Sequence, residues 1–242
     1  MTLAPDVTVS SYNIHKGVGA DGRRDVGRIA AVIAEIGADI LALQEADLRF
    51  GTRAGLLDLD RLRRDLGLIA VPTESTGPSH GFHGNLLLVR NGLVQVVHHL
   101  NLPGLEPRGA LMVDLEIDGR PLRVVSAHLG LLARSRARQT AAIMDKLATL
   151  DNRPALLMGD LNEWRQGRSS LRHLAPGFVS APPVKSFPAR YPLFALDRMM
   201  ACPQGELVGF QAHDTPLARI ASDHLPVKAR LRLPPQNEGR HA

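Results

Sequence analysis

The chain has 242 residues, of which 44% are hydrophobic, and a formal net charge of +5. This length and composition suit one packed domain, which we predict over residues 1–234, with a frayed tail over residues 235–242. The apolar runs are far shorter than the ~18 residues of a membrane span, and the N-terminus lacks a signal-peptide pattern. The single cysteine, Cys202, excludes an internal disulfide and a cysteine-rich metal site. We therefore expect a cytoplasmic protein.

The basic residues are mostly arginine, because only four of the 29 are lysine. This excess permits an anionic partner such as nucleic acid, phospholipid or a phosphorylated metabolite. A bias in genome composition explains it equally well. Aromatic residues make up 4% of the chain, which leaves little material for base-stacking platforms.

Helices and strands alternate in the first part of the chain. A strand is predicted over residues 8–12. Asp25 is the predicted N-cap of a helix with apolar residues at helical spacing, and Gly37 is predicted to end it. The segment "ADILALQE" is typical of a buried strand. A second amphipathic helix is predicted over residues 58–66, and a short strand over residues 68–71.

Short strands dominate the middle of the chain. The segments "GNLLLVR", "LVQVVHHL", "GALMVDLEIDG" and "LRVVSAHLG" are separated by Asn-Gly, Pro-Gly and Asp-Gly signals, which predict antiparallel hairpins. A long helix is predicted over residues 134–150. Further strands are predicted in "RPALLMGD", "FALDRMMA", "GELVGFQAH" and "LPVKARLRL". This order favours an α+β fold in which two sheets pack face to face with outer helices.

Polar residues recur at the predicted strand ends. They are Asn13, Glu45, His128, Asp160, Asn162, Asp197, Asp223 and His224. Carboxylate and amide oxygens suit a hard cation such as Mg²⁺, and a histidine beside a carboxylate can move a proton near neutral pH. The sequence has no nucleophilic cysteine motif or serine elbow. The pattern therefore indicates attack by water on a phosphate ester.

Seven motifs in order carry a family resemblance: "SYNIH", "LALQE", "PRGALM", "SAHLG", "MGDLNEW", "ALDRM" and "SDHLPV". They resemble the endonuclease/exonuclease/phosphatase superfamily, which includes pancreatic deoxyribonuclease, AP endonucleases, neutral sphingomyelinases and inositol-polyphosphate 5-phosphatases. The match runs from Asn13 to Pro226, and "GDLN" followed by "SDHLP" is its most specific part. The resemblance implies a four-layer αββα sandwich and an Mg²⁺-dependent hydrolase, with Mn²⁺ as an alternative metal.

The resemblance also implies roles for individual residues. Asn13 and Glu45 would hold the metal, and Asp223 would approach it directly or through water. Asp160 would orient or deprotonate the attacking water. Asn162 would hydrogen-bond a phosphoryl oxygen.

The remaining roles concern the phosphate. His224, oriented by Asp197, would touch the scissile phosphate as half of a base-and-orienter pair. His128 stands where sphingomyelinases and pancreatic deoxyribonuclease have histidine, although the acid that would pair with it is missing. Arg108 resembles a phosphate-gripping arginine, with a plain surface arginine as the alternative. Asn85 lies where relatives place an acid or an amide near the site.

Four further residues near these motifs have no assigned role. His83 lies beside Asn85 in the same motif region. His15 and Lys16 either reach substrate phosphate or are simply solvated. Trp164 is expected to pack.

The substrate is less well defined by the sequence. "SAHLG" replaces the Tyr-x-Pro-Asn pattern of AP endonucleases, which argues against abasic-site repair. A phospholipid or another phosphodiester ranks slightly ahead of DNA or RNA, although no apolar membrane-inserting hairpin is evident. A non-catalytic phosphate-binding relative would require loss of a core residue, and every core position is filled. We expect a monomer without a stable protein partner.

Overall fold

Strands and helices follow the predicted order along most of the chain. The structure is a computed structural model, and it describes residues 6–48, 54–73, 77–165 and 169–234. The strands are β1 (Val7–Asn13), β2 (Ile40–Gln44), β3 (Ile69–Ala70), β4 (Leu86–Val89), β5 (Gly92–Leu102), β6 (Arg108–Ile117), β7 (Arg120–His128), β8 (Ala155–Asp160), β9 (Val179–Ser180), β10 (Asp197–Ala201), β11 (Glu206–Ala212) and β12 (Val227–Arg232). The helices are α1 (Val26–Ile36), α2 (Leu59–Leu66), α3 (Ala133–Ala148) and α4 (Ala218–Ala221). Two short 3-10 helices cover His15–Gly17 and Ser170–Leu174.

The predicted helix boundaries have the expected chemistry. The Asp25 side chain accepts a hydrogen bond from the Arg28 backbone N–H at the start of α1. Gly37 ends α1 in the left-handed conformation with φ 63°, which glycine adopts without a steric penalty. Asp58 caps α2 in the same way by accepting from the backbone N–H of Arg61. Local capping therefore fixes both helices where the sequence placed them.

Twelve strands form two mixed sheets of six. The first sheet has the order β11-β12-β1-β2-β4-β3, and the second has the order β5-β6-β7-β8-β10-β9. β1 runs parallel to β2 and β7 runs parallel to β8, whereas the other described pairs are antiparallel. The predicted hairpins β5–β6 and β6–β7 are confirmed by their antiparallel pairing.

Three apolar clusters arrange these elements in four layers. Residues of both sheets share a central cluster, in which Val9 and Leu87 of the first sheet belong with Leu111 and Met158 of the second. A second cluster buries α1 and α2 against the outer face of the first sheet. A third buries Ile143 of α3 against the outer face of the second sheet. The predicted α+β sandwich of two packed mixed sheets with outer helices is confirmed.

One hairpin prediction is wrong. Asn91 and Gly92 do not join two paired strands, because β4 pairs with β2 and β3 in the first sheet while β5 pairs with β6 in the second. Asn91 has a left-handed φ of 54°, so its local conformation matches the turn signal. Each residue of β4 is buried, and pairing on both of its edges within the first sheet takes precedence over local turn chemistry.

The strand registers bring the predicted site residues to one edge of the sandwich. Asn13 lies opposite Gln44 in the parallel pair β1–β2. His128 lies opposite Asp160 in the parallel pair β7–β8, and Asp197 lies opposite Asp160 from the antiparallel strand β10. The carboxyl ends of four strands and the amino end of β10 therefore meet at this edge.

Two predictions from composition remain. The frayed tail over residues 235–242 lies outside the described residues. Within the described ranges, no helix has both the length and the apolar character required to cross a membrane.

Candidate active site

Asp160 is held in place by the backbone that precedes it. Gly159 has φ 154°, and a Cβ atom at this position would lie 1.8 Å from the carbonyl oxygen of Ala127 on β7. Only glycine allows β8 to approach β7 this closely. The "MGD" sequence therefore places Asp160 at the strand end directly beside His128, its partner in the register.

The Asp160 carboxylate is the centre of a cluster of polar side chains that also includes Asn13, His128 and His224. Asp160 is only 2% exposed. Its Oδ2 accepts a 2.9 Å hydrogen bond from Nδ2 of Asn13. Nε2 of His128 lies 3.4 Å from the same oxygen, and Nε2 of His224 lies 3.8 Å from it. Oδ1 accepts from the backbone N–H of Asn162 at 3.0 Å. One carboxylate thus gathers residues from both sheets.

Arg108 orients His128. Nη1 of Arg108 donates to Nδ1 of His128 at 2.9 Å, so that Nε2 of the imidazole carries the proton and faces Asp160. Burial lowers the pKa of His128 to about 4, and the positive charge of Arg108 acts in the same direction. The ring is therefore neutral at pH 7. Arg108 therefore orients the His128 ring, a task for which an acidic residue was expected and not found in the sequence.

His224 has the opposite charge state. Its Nδ1 lies 2.9 Å from Oδ2 of Asp197, a fully buried carboxylate. Burial alone would lower the pKa of His224, but the charges of Asp197 and Asp160 and the hydrogen bond to Asp197 outweigh it and raise the pKa to about 10. The pairing with Asp197 agrees with the prediction. The base role expected for His224 stays a prediction.

The predicted metal residues lie beside this cluster. Glu45 follows β2 with a left-handed φ of 55°, and its carboxylate pairs with Nζ of Lys16. Burial would raise the pKa of Glu45, but the hydrogen bond from Lys16 and nearby positive charge lower it below its usual value. Oδ1 of Asp223, which is partly exposed, lies 3.6 Å from Nδ1 of His15. Both carboxylates thus face cationic or proton-donating groups.

This donor set suits a hard cation that retains much of its water. Glu45, Asp223 and the amide oxygen of Asn13 offer only oxygen atoms, the ligands that Mg²⁺ prefers. Glu45 already stabilises a positive charge, that of Lys16. Within the described ranges, no group of three or more His, Cys, Asp and Glu side chains is arranged to enclose a metal ion. The oxygen atoms of these residues therefore fit a hard divalent cation such as Mg²⁺.

Asn162 and Asn85 differ in their surroundings. Asn162 has a left-handed φ of 51°, and its Nδ2 donates to the carbonyl of Leu129 at 2.9 Å. Asn85 is fully buried, and its Nδ2 donates to the carbonyls of Phe82 and Gly109 at 3.2 and 3.0 Å. These contacts hold the amide nitrogen of Asn85 within the fold, and the contact of Asn85 with phosphate stays a prediction.

Two residues missed in the sequence support the site. Oε2 of Glu106 accepts from Nε and Nη2 of Arg108 at 3.1 and 2.8 Å. The Ser186 hydroxyl donates to Oδ2 of Asp197. Neither residue belongs to a recognisable motif, although Glu106 stands only two positions before Arg108. Of the unassigned residues, His83 has its Nε2 2.8 Å from Oδ1 of Asn101.

Comparison with known proteins defines the class of this fold and site. The sequence profile of the Endonuclease/Exonuclease/phosphatase family matches residues 10–224. The chain therefore belongs to the endonuclease/exonuclease/phosphatase family, whose members are hydrolases that act on phosphoester bonds. It is 26% identical to the protein YbhP of Escherichia coli K12, over 93% of this chain and 96% of YbhP.

Solved structures share the same fold. An endonuclease/exonuclease/phosphatase family protein from Bacteroides thetaiotaomicron superposes with a TM-score of 0.75 at 18% identity, covering 96% of this chain and 99% of that one. The mannosyl-6-phosphatase Bt3783 of the same species superposes with a TM-score of 0.71 at 18% identity, over 93% and 99% of the two chains. At these identities the likeness concerns the fold alone.

Proposed function

We propose that this protein is an Mg²⁺-dependent phosphodiesterase that hydrolyses a phosphate ester by in-line attack of water. One observation carries the proposal: a buried carboxylate, Asp160, lies within 3.8 Å of the imidazole nitrogens of His128 and His224 and is hydrogen-bonded to Asn13. The type of bond is inferred from the family, whose members hydrolyse phosphoester bonds. The class of reaction follows from this arrangement because no cysteine or serine nucleophile lies among these residues.

The side chains divide the chemistry between them. Asp160 is the acceptor in the cluster and would orient the attacking water or take its proton. His224, protonated at neutral pH, would donate from Nε2 to a phosphoryl oxygen. Asn162 would donate its second amide hydrogen, the one that does not bond to the Leu129 carbonyl, to a phosphoryl oxygen. Such preorganised donors stabilise charge on the phosphorus centre more strongly in a dry site than in water.

The metal would add to this charge stabilisation. Asn13, Glu45 and Asp223 would hold Mg²⁺, with Mn²⁺ as a substitute, and the bound ion would polarise a phosphoryl oxygen. Arg108 would contribute a fixed positive charge through its contact with His128, and Glu106 would hold the guanidinium in position.

A phospholipid remains a candidate substrate because three exposed leucines lie near Arg108. Leu105 is 86% exposed, Leu131 66% and Leu132 52%. They occupy the loops before β6 and before α3, and the Leu131 N–H donates to Oε1 of Glu106 at 2.8 Å, which joins the two loops. Exposed apolar groups next to a phosphate site suit a lipid surface. A nucleic-acid backbone is the alternative.

A turnover assay tests the proposal. Wild-type protein and Asp160→Ala are compared with Mg²⁺, with Mn²⁺ and after treatment with EDTA. Bis(p-nitrophenyl) phosphate and p-nitrophenyl phosphate separate diesterase from monoesterase activity. Supercoiled plasmid, an abasic-site duplex, sphingomyelin vesicles, phosphatidylglycerol vesicles and an inositol phosphate identify the substrate class.

The expected result is hydrolysis of the diester that requires metal and is lost in Asp160→Ala. Plasmid nicking lost in the variant would assign a nuclease. Lipid headgroup release without nicking would assign a phospholipase-C-like enzyme. Equal turnover by wild type and Asp160→Ala would overturn the mechanism, and no turnover of any substrate would favour a non-catalytic phosphate-binding protein.

A further inference from the structure

A cleft of about 430 Å³ is lined by residues of the segment that follows β8 and of the segment that precedes β10. Its lining includes Trp164, Arg165, Pro183, Lys185, Leu193 and Phe194. Its size falls within the range of roughly 300–1,000 Å³ that is typical of small-molecule sites. Neither the metal residues nor the residues around Asp160 line it. The cleft therefore needs an explanation of its own.

Two segments that carry catalytic residues form its walls. Trp164 follows Asp160 and Asn162 by a few positions in the segment after β8. Phe194 lies shortly before Asp197, and the backbone N–H of Leu161 donates to the carbonyl of Leu196 at 3.0 Å, which joins the two segments. Any group bound in the cleft is consequently a near neighbour of a phosphate at Asp160 and His224.

The loop that carries Phe194 also contacts Asp197 and His224, the catalytic dyad. The backbone N–H groups of Ser186 and Phe187 donate to the carbonyl of Phe194 at 2.9 and 3.1 Å. Ser186 donates to Asp197, and the Phe187 ring lies 4.8 Å from the ring of His224, centroid to centroid. The cleft wall and the dyad thus share one set of hydrogen bonds, and a ligand in the cleft would be held in a fixed relation to the reacting phosphate.

Two aromatic side chains of the cleft are partly exposed to solvent. Trp164 is 39% exposed and Phe194 is 42% exposed, and their ring centroids are 5.9 Å apart with an angle of 38° between the planes. Leu193, 61% exposed, adds an apolar edge. Large apolar side chains that remain exposed inside a concave site indicate contact with an apolar or aromatic group of a ligand.

The charge of the cleft is positive. Cζ of Arg165 lies 4.9 Å from the centre of the Trp164 ring. Lys185 is exposed, and neither cation has a carboxylate partner among the residues that the structure describes. Among the described residues that line the cleft, none is acidic. An anionic group beside the aromatic faces would therefore gain two favourable partners.

We propose that this cleft binds the nucleobase and a flanking phosphate of a nucleoside phosphate whose scissile phosphate lies at Asp160 and His224. The base stacks on Trp164 and Phe194, and the flanking phosphate pairs with Lys185 and Arg165. The inference rests on the proposed function for the position of the scissile phosphate, but binding in the cleft does not require turnover. It places a nucleotide or nucleic-acid end ahead of a phospholipid as the substrate.

Trp164 provides a direct test because it is the only tryptophan in the chain. Its fluorescence is followed in Asp160→Asn, which blocks turnover, in the presence of Mg²⁺ while adenosine 3′,5′-bisphosphate, ribose 5-phosphate or inorganic phosphate is added. The bisphosphate is expected to quench Trp164 and to bind roughly tenfold or more tightly than ribose 5-phosphate, since stacking on aromatic side chains contributes strongly for each base.

Two variants and a matched control locate the binding. Phe194→Ala in the same background is expected to weaken binding of the bisphosphate roughly tenfold, and Lys185→Gln to weaken it severalfold and to reduce its dependence on salt. Tyr191→Ala is the control, because Tyr191 is an exposed aromatic residue of the same loop that does not line the cleft. It should bind the bisphosphate as Asp160→Asn does.

Equal binding of ribose 5-phosphate and the bisphosphate would overturn the proposal, as would an unchanged dissociation constant in Phe194→Ala. Quenching by phosphatidylglycerol vesicles but not by the bisphosphate would also overturn it and assign the cleft to lipid. The proposed function fails separately: nucleotide binding by Asp160→Asn together with absence of turnover in wild type would leave the cleft assignment intact.

Discussion

Nη1 of Arg108 lies 2.9 Å from Nδ1 of His128, so that a permanently charged donor decides which imidazole nitrogen carries the proton. Glu106 holds the guanidinium through two hydrogen bonds to Oε2. The buried histidine is thereby kept neutral and presents Nε2–H to Asp160. An arginine performs the orienting task that a carboxylate performs for His224.

Replacing Arg108 by Met should release the His128 ring. We expect kcat/KM to fall roughly 100-fold, because the imidazole loses its fixed tautomer and the site loses a positive charge. Nitrogen-15 NMR of His128 should show mixed tautomers in the variant and a single Nε2–H tautomer in the wild type. Arg134→Met, at an exposed position in the first turn of α3, is the control. Retention of both activity and tautomer in Arg108→Met would contradict the assignment.

Asp197→Asn should separate the charge of the dyad from its packing. The neutral amide removes the main cause of the raised pKa of His224, which is about 10 in the wild type. That pKa should therefore fall, and kcat should drop roughly 100-fold or more with little change in KM, since the donor is needed during the reaction. Ser186→Ala removes a hydrogen bond from the same carboxylate but keeps its charge, so its effect should be much smaller. Equal losses in the two variants would argue for a purely structural role.

His128 should make the protein sensitive to acid. Its pKa is about 4 in the folded protein and 6.5 in the unfolded chain, so between these values the unfolded chain binds a proton that the buried ring does not. The contribution of His128 to stability is complete above pH 6.5 and is lost as the pH falls towards 4, by on the order of 3 kcal/mol. Urea unfolding of the metal-free protein at a series of pH values measures this loss.

His128→Gln is the informative variant for this pH dependence. Its free energy of unfolding should vary less between pH 6.5 and 4 than that of the wild type, because no imidazole remains to be protonated at this position. His173→Gln, in the 3-10 helix below α3, serves as the control and should keep the wild-type slope. An unchanged slope in His128→Gln would place the acid sensitivity elsewhere.

Gly159→Ala should damage both the fold and the site. The new Cβ would lie 1.8 Å from the carbonyl oxygen of Ala127, so β7 and β8 must separate at the position next to Asp160. We expect a loss of stability of about 3 kcal/mol or more, measured by urea unfolding, together with loss of activity. Gly205→Ala is the matched control, because its nearest neighbour would lie 3.4 Å away. Similar stability of the two variants would show that the strands can separate freely.

Lys16→Met should strengthen metal binding. Lys16 pairs with Glu45, so the ammonium group and a divalent cation would compete for one carboxylate. Removing the ammonium should lower the Kd for Mg²⁺ severalfold in isothermal titration calorimetry. Lys228→Met is the control. Lys228 lies on β12, where its Nζ is 3.2 Å from Nδ1 of His213, and its replacement leaves Glu45 unchanged. Weaker Mg²⁺ binding in Lys16→Met would mean that Lys16 supports the metal site instead.

Much of the fold could be predicted from local patterns. Asp25 and Asp58 cap helices because their side chains accept backbone N–H groups within three residues, an interaction that depends on nearby sequence only. Alternation and turn signals identified β5, β6 and β7 correctly as hairpins. The Asn91-Gly92 turn failed as a hairpin signal because the partner of β4 lies far away in the chain.

The fold class, the family and the polar residues at the strand ends could be predicted from the amino-acid sequence, because each depends on residue types and spacings along the chain. The contacts among those polar residues could not. Only packing reveals that Arg108 contacts His128 where an acid was expected, that His224 lies between Asp197 and Asp160, and that Trp164 and Phe194 share a cleft. Charge state and orientation depend on distances and burial among residues from different strands, and no local pattern encodes those quantities.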